Sequence, residues 1–245
     1  MQAADTILSF NFTLLPMNHL CLLTALCLAA RASAQPPSAG ETKIFSDHFE
    51  RAELGPAWRV VTPAFTIADG VLKGSQTRSD HGAVGSIHAP FRDGVIEFRF
   101  RFEGATSINA VCDDKGFKGS HAGHICRVAI TPKQIRLGDD KEGVMRNDIL
   151  EMRKDPARKA EAEKLLAGRG SAVPVKLEPG QWHTMRIAIT GDTLRAALDG
   201  APVASLQSPG IAHATKTDFH FTVTGKDALL DDVRILSVGK AAAKD

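Results

Sequence analysis

Four side chains stand where acid–base chemistry could be done. Glu97 lies in a strand-like run, Asp113 and Asp114 sit where such a run meets the Gly-rich stretch Lys115–Gly119, and His220 lies between Asp218 and Thr222. Two carboxylates about 5 to 10 Å apart can act as proton donor and acceptor in cleaving a glycosidic bond, and an imidazole titrates near neutral pH and can carry the proton. Each also has a structural reading. Glu97 with Arg99 and Arg101 fits a cross-strand charge ladder, Asp113 and Asp114 fit turn residues, and His220 fits a solvent-facing strand position. Arg99, Arg101 and Phe117 are the candidate binding side chains, Phe117 being an aromatic among glycines in a polar loop. Trp58 and Trp182 read as core residues.

No nucleophile motif, phosphate-cradling loop or nucleotide fingerprint occurs, so no cofactor is expected. The spacing of Cys112, His121, His124 and Cys126 matches no usual zinc pairing, and two adjacent aspartates supply too few oxygens for calcium. No metal is expected either.

The elements that must position these residues follow from periodicity. In Gly94–Glu103 the residues Ile96, Phe98, Phe100 and Phe102 share one face, while Glu97, Arg99, Arg101 and Glu103 share the other. Period two of this kind means a strand with one buried face. Thr217–Thr224 repeats the design, burying Phe219, Phe221 and Val223 and showing Asp218, His220 and Thr222. Asp69-Gly70, Gly191-Asp192 and Asp199-Gly200 each separate two strand-like runs as two-residue hairpin turns do. About a dozen short strands suit an all-β, antiparallel two-sheet jelly-roll sandwich. Residues 145–170 break the pattern. Asp155-Pro156 and Gly168 bracket a run rich in Ala, Glu, Lys and Leu, which predicts a charged, mostly solvated helical insertion.

The chain of 245 residues carries 30 Lys+Arg and 28 Asp+Glu, a formal charge of +2. That is too little to draw in nucleic acid. Leu20–Ala30 is an apolar run followed by Arg31-Ala32-Ser33-Ala34, so residues 1–34 are expected to be a cleaved leader, with Met17 the favoured start and a buried helix the alternative. A periplasmic or secreted protein results, with a linker at 35–41, a sandwich at 42–239, a disordered tail at 240–245 and no integral membrane segment after cleavage. The leader removes Cys21 and Cys27. Cys112 and Cys126, at facing ends of a hairpin, are then expected to form a disulfide, two buried thiols being the alternative.

The order of motifs resembles the bacterial 3-keto-disaccharide hydrolase domain family. The matching pieces are Phe49 with Trp58-Arg59-Val60, Phe65–Leu72, Gly94–Phe102, Pro179–Thr184, Leu198-Asp199-Gly200 and Asp231–Ile235. The resemblance implies a concanavalin A-like or laminin-G-like sandwich acting on an oligosaccharide or modified disaccharide. Glycosidic hydrolysis would then use Glu97, Asp113 or Asp114 as acids and His220 as proton carrier. A non-catalytic carbohydrate-binding, adhesive or structural module on the same fold is the alternative.

Overall fold

The computed structural model describes residues 40–62 and 64–239. The expected leader and tail lie outside the described residues, as does most of the expected linker. The strands are β1 (Glu41–Asp47), β2 (Trp58–Thr62), β3 (Phe65–Ala68), β4 (Val71–Ser75), β5 (Ala83–Phe91), β6 (Gly94–Asp113), β7 (His124–Thr131), β8 (Gln134–Asp139), β9 (Gly170–Pro174), β10 (His183–Thr190), β11 (Thr193–Leu198), β12 (Ala201–Gln207) and β13 (Lys216–Val238). Two helices, α1 (Asn147–Lys154) and α2 (Lys159–Leu166), interrupt them between β8 and β9.

The two long strands organise everything else. β6 and β13 pair antiparallel from Asp218↔Asp113 to Ser237↔Gly94, with register breaks around Gly225 where both strands turn from one layer into the other. Gly225 has φ +84, and a Cβ there would stand 2.7 Å from the Thr106 nitrogen, so the corner requires glycine. In the first layer the order is β12-β11-β10-β6-β13-β1, with β4 and β3 added along the middle of β13. In the second it is β2-β5-β13-β6-β7-β8-β9.

Between the layers lies one hydrophobic core, to which β6 contributes Ile96, Phe98, Phe100, Phe102, Ile108, Ala110 and Cys112, and β13 contributes Phe219, Phe221, Val223, Leu230 and Ile235. The alternation expected from sequence therefore sets which face is inside. Trp58 is buried, stacks against Phe221 at 6.3 Å between ring centroids, and donates its Nε1–H to Asp47 at 2.7 Å. Trp182 departs from expectation. It is half-buried on the outer surface, beneath the guanidinium groups of Arg99 and Arg101 at 4.8 and 5.1 Å from its ring. Its apolar body is covered by cations and not by the core.

Asp69 and Gly70 both have positive φ, as do Asp199 and Gly200, the geometry that tight hairpin turns demand. In the insertion Asp155 accepts the Ala157 N–H at 2.9 Å and caps a 3-10 turn leading into α2. α1 precedes it, and Ile149, Met152 and Ala162 form a small core of their own with Leu166 packed on it.

Cys112 and Cys126 stand directly opposite each other on β6 and β7 but are free thiols, correcting the expected disulfide. Both face the core. Contact with the Cys126 thiol, together with burial, pushes the Cys112 thiol well up, which disfavours the thiolate needed for disulfide chemistry. Alkylation of denatured, unreduced protein should modify both residues; a Cys112–Cys126 cross-linked peptide would contradict it.

Candidate active site

The outer face of the second layer presents Asn109, Val111 and Asp113 from β6 and Asp218, His220 and Thr222 from β13, the positions between the core residues. Cross-strand pairing extends these into rows. One runs Ser86, His220, Val111, Arg127, Gly138, Gly170; the next runs Val84, Thr222, Asn109, Ala129, Arg136, Ala172. The face is not wet, as the alternation alone would suggest. His220 and Asp218 are only 5% and 8% exposed.

Asp113 is completely buried and is the hub. Its Oδ1 accepts a hydrogen bond from His124 Nδ1 at 2.6 Å, and its Oδ2 accepts from His220 Nδ1 at 2.9 Å and from Lys115 Nζ at 2.5 Å. An ionised carboxylate only accepts, so both imidazoles carry hydrogen on Nδ1, and Nε2 is the free nitrogen of each neutral ring. Burial would raise the Asp113 pKa, but the hydrogen bonds and charges of His124 and His220 outweigh it and hold the carboxyl well below the usual carboxylate range. The His220 pKa is lowered too, and there burial is the main cause. Desolvation lowers its pKa despite the Asp113 hydrogen bond, and the charges of His124 and Lys115 add to the lowering. Its neutral form is the resting form at pH 7. The ring centroids of His124 and His220 are 5.4 Å apart.

His124 reaches this site through a register shift. Cys112 pairs with Cys126, yet Asp113 pairs with His124 and skips Ile125. Such a bulge re-aims a side chain. Asp113, His124 and His220 each offer one ligating atom, all within 4.8 Å of one another, so this trio could hold a divalent ion. The carboxylate and both Nδ1 atoms are already spent on one another, which leaves the Nε2 atoms as the available donors.

On the same face, with Arg127 two strands from His220, a cleft of about 560 Å³ lies over β6 to β9, lined by Asn109, Arg127 and Arg136 from the sheet and by Met145, Leu166 and Arg169 from the insertion and its flanks; the imidazoles themselves do not line it. A second hollow of about 500 Å³ lies between His121 and α1. The insertion therefore walls the cleft, a role its charged sequence did not signal.

The other sequence candidates lie elsewhere. Glu97 is on the outer face of the opposite layer, held by Arg186 and Arg234 in the charge ladder. Arg99 joins it there, bonded to Asp231 and Asp232 at 3.3 and 3.4 Å, and Arg101 lies over Trp182. Asp114 is a turn residue whose Oδ1 accepts the Gly116 N–H, while its Oδ2 takes His213 Nε2 at 2.8 Å; the His213 hydrogen bond lowers its pKa. Phe117 is half-buried against His213, with Lys141 near its ring, and offers no open platform. Of the four catalytic candidates the structure brings together Asp113 and His220, and adds His124 and Lys115.

Among solved structures the fold is similar to porphyranase B from Zobellia galactanivorans (TM-score 0.58, 9% identity, 86% of this chain and 98% of that one). It is similar also to a laminarinase from Flavobacterium sp. UMI-01 (TM-score 0.54, 11% identity, 79% and 99%). A non-specific endo-beta-1,3(4)-glucanase of family GH16 shares it too (TM-score 0.55, 11% identity, 83% and 94%). Identities this low establish the jelly-roll sandwich and nothing finer. No curated protein matches the sequence. The match over residues 46–235 is decisive for kinship: the chain belongs to the 3-keto-alpha-glucoside-1,2-lyase-like domain family.

Proposed function

We propose that the protein cleaves 3-keto glycosides by elimination across C1 and C2, with His220 as the base. The observation that carries this is the buried Asp113 carboxylate gripping two imidazoles on the sheet face that also carries the cleft. Direct two-carboxylate hydrolysis would need acids that reach the substrate, whereas Asp113 is fully buried with both oxygens engaged and Glu97 is on the other layer.

A ketone at C3 acidifies the hydrogen on C2. Nε2 of neutral His220 takes that proton and leaves an enolate across C2 and C3; the enolate's electron pair then becomes the C1=C2 bond as the C3 carbonyl re-forms and the C1–O bond breaks. His124, in its protonated form, supplies the proton that the departing oxygen needs. Asp113 stays ionised throughout and holds both rings in the tautomer with Nε2 outward from the carboxylate. The products are an alcohol and a 2-hydroxy-3-keto glycal; addition of water to the latter makes the net reaction hydrolysis. With the leader read from residues 1–34, the reaction takes place in the periplasm or outside the cell; exported protein beginning before Gln35 would contradict that cleavage, and protein retained in the cytoplasm would contradict the location.

The test is to incubate purified protein with a 3-keto-α-glucoside and its unoxidised parent, following aglycone release and the enone absorbance of the glycal. Release from the keto sugar alone, slowed by deuterium at C2, is the expected result. Release from the parent at the same rate, or neither an isotope effect at C2 nor exchange of C2–H with solvent during turnover, would contradict elimination. Silence from folded protein would favour a carbohydrate-binding module. Glu97→Gln should leave kcat/KM within about twofold, since a surface charge ladder contributes little to anything at the opposite face.

A further inference from the structure

The charged lining of the cleft over β6 to β9 is dominated by guanidinium groups. Arg127, Arg136, Arg153 and Arg169 all line it, against two carboxylates, Asp139 and Asp140. Asp139 is fully engaged and Asp140 through one oxygen only, its buried Oδ1 having no hydrogen-bond partner. Asp140 accepts Arg127 Nε at 2.5 Å, and Asp139 accepts the Ser208 hydroxyl at 2.5 Å and the backbone N–H groups of Gly210 and Glu142 at 2.9 Å.

The arginines are not satisfied in the same way. Arg127 Nη2 and Arg169 Nε are buried atoms without a hydrogen-bond partner, and among the described residues Arg136 and Arg153 have no ion-pair partner. A buried N–H donor left unpaired costs free energy that an incoming acceptor recovers, and guanidinium suits planar or tetrahedral oxyanions by its fixed fork of donors. Four such groups converging on one cavity is the arrangement of an anion site.

We infer that this cleft is an anion subsite, and that the substrate is an acidic saccharide whose carboxylate or sulfate ester lies among Arg127, Arg136, Arg153 and Arg169. The sheet gives the spacing. Arg127 lies two strands from His220, with Val111 between them, and strands are about 4.8 Å apart. A keto sugar whose C2 meets His220 therefore puts the adjoining sugar unit, not its own ring, over the arginines, and it is this adjoining unit that bears the charge. The position of the keto sugar rests on the catalytic reading above; the anion site itself does not.

Calorimetry on the full protein with three unoxidised disaccharides tests this: a neutral glucosyl-glucose, the same disaccharide with a uronic acid as second unit, and its sulfate ester. At least one acidic probe should bind about tenfold more tightly than the neutral one, equivalent to about 1.4 kcal/mol. Which of the two binds better identifies the anion. The advantage should shrink in high salt and fall below about threefold in R136A/R153A, whose two side chains are exposed and whose loss does not open the core. Equal binding of neutral and acidic probes, no binding of any, or an advantage that survives in R136A/R153A would each overturn the inference. The two proposals fail separately. Turnover of a neutral keto glycoside without anion preference would leave elimination standing and remove the subsite; anion preference without turnover of any keto sugar would do the reverse.

Discussion

Asp113→Asn should lower kcat/KM toward a 3-keto glycoside by about 10³-fold or more, through the tautomer it imposes on the histidines. An asparagine has one acceptor and one donor end where the carboxylate has two acceptors. Facing His124 Nδ1 on one side and His220 Nδ1 on the other, the amide can accept from only one of them. The ring meeting the NH2 must turn its Nδ1 lone pair to it and carry its hydrogen on Nε2, which removes either the base or the proton path. Stability should fall as well, by about 3 kcal/mol, because the buried hub loses its charge while Lys115 and the imidazoles stay in place. The pH dependence carries its own sign. Asp113 has a lowered pKa in the folded state, so its contribution is fully present above about pH 4 and is lost as pH falls through the lowered value. Acid unfolding of the wild type should therefore steepen below about pH 4, and this limb should be missing in the variant. A melting-temperature series from pH 2 to 8 reads both effects. A variant with normal turnover, or an acid limb unchanged, would remove Asp113 from the centre of the site.

Much of the fold is legible in the sequence because strand alternation is a local rule. Ile96, Phe98, Phe100 and Phe102 declare the core face of β6, and Phe219, Phe221 and Val223 that of β13, so Asp113 and His220 fall on the outer face without any knowledge of the partners. What sequence does not reveal depends on register and cover. Strict alternation from Cys126 would place Ile125, not His124, beside Asp113, and only the bulge brings the imidazole in. Glu97 and Asp113 share one strand, yet β6 changes layers between them, so two acids that look like neighbours serve opposite surfaces. Lys216 shows the same limit. A lysine at a strand start reads as solvated, but it is fully buried, its Nζ donating to the carbonyls of Arg92, Ile211 and His213 at 2.8 to 3.0 Å. The insertion is helical and mostly exposed, as its composition predicts, but its few apolar residues are split between two helices, Ile149 and Met152 on one, Ala162 and Leu166 on the other, and the wall their meeting makes for the cleft has no local signal in the sequence.

His220→Gln should cost about 10²- to 10⁴-fold in kcat/KM, the usual worth of a positioned base, with much less loss of stability than Asp113→Asn. The glutamine amide can still donate a hydrogen bond to Asp113, so the hub keeps its charge and most of its partners. A purely structural histidine would give the opposite balance, and the pH profile separates the two. His220 must be neutral to act, and burial lowers its pKa below the ordinary value of about 6.5, so the acid limb of the activity profile should lie below the ordinary imidazole range. That acid limb should vanish from the residual activity of the variant. The division of labour with His124 has a sharper readout. Removing the C2 proton precedes loss of the leaving group, so in D2O a variant that still has the base but lacks the proton donor should exchange C2–H of unreacted keto glycoside without releasing aglycone. His124→Gln should behave this way, and His220→Gln should lose exchange and release together. Exchange surviving in His220→Gln and lost in His124→Gln would reverse the two roles; exchange surviving in both would mean that neither imidazole is the base.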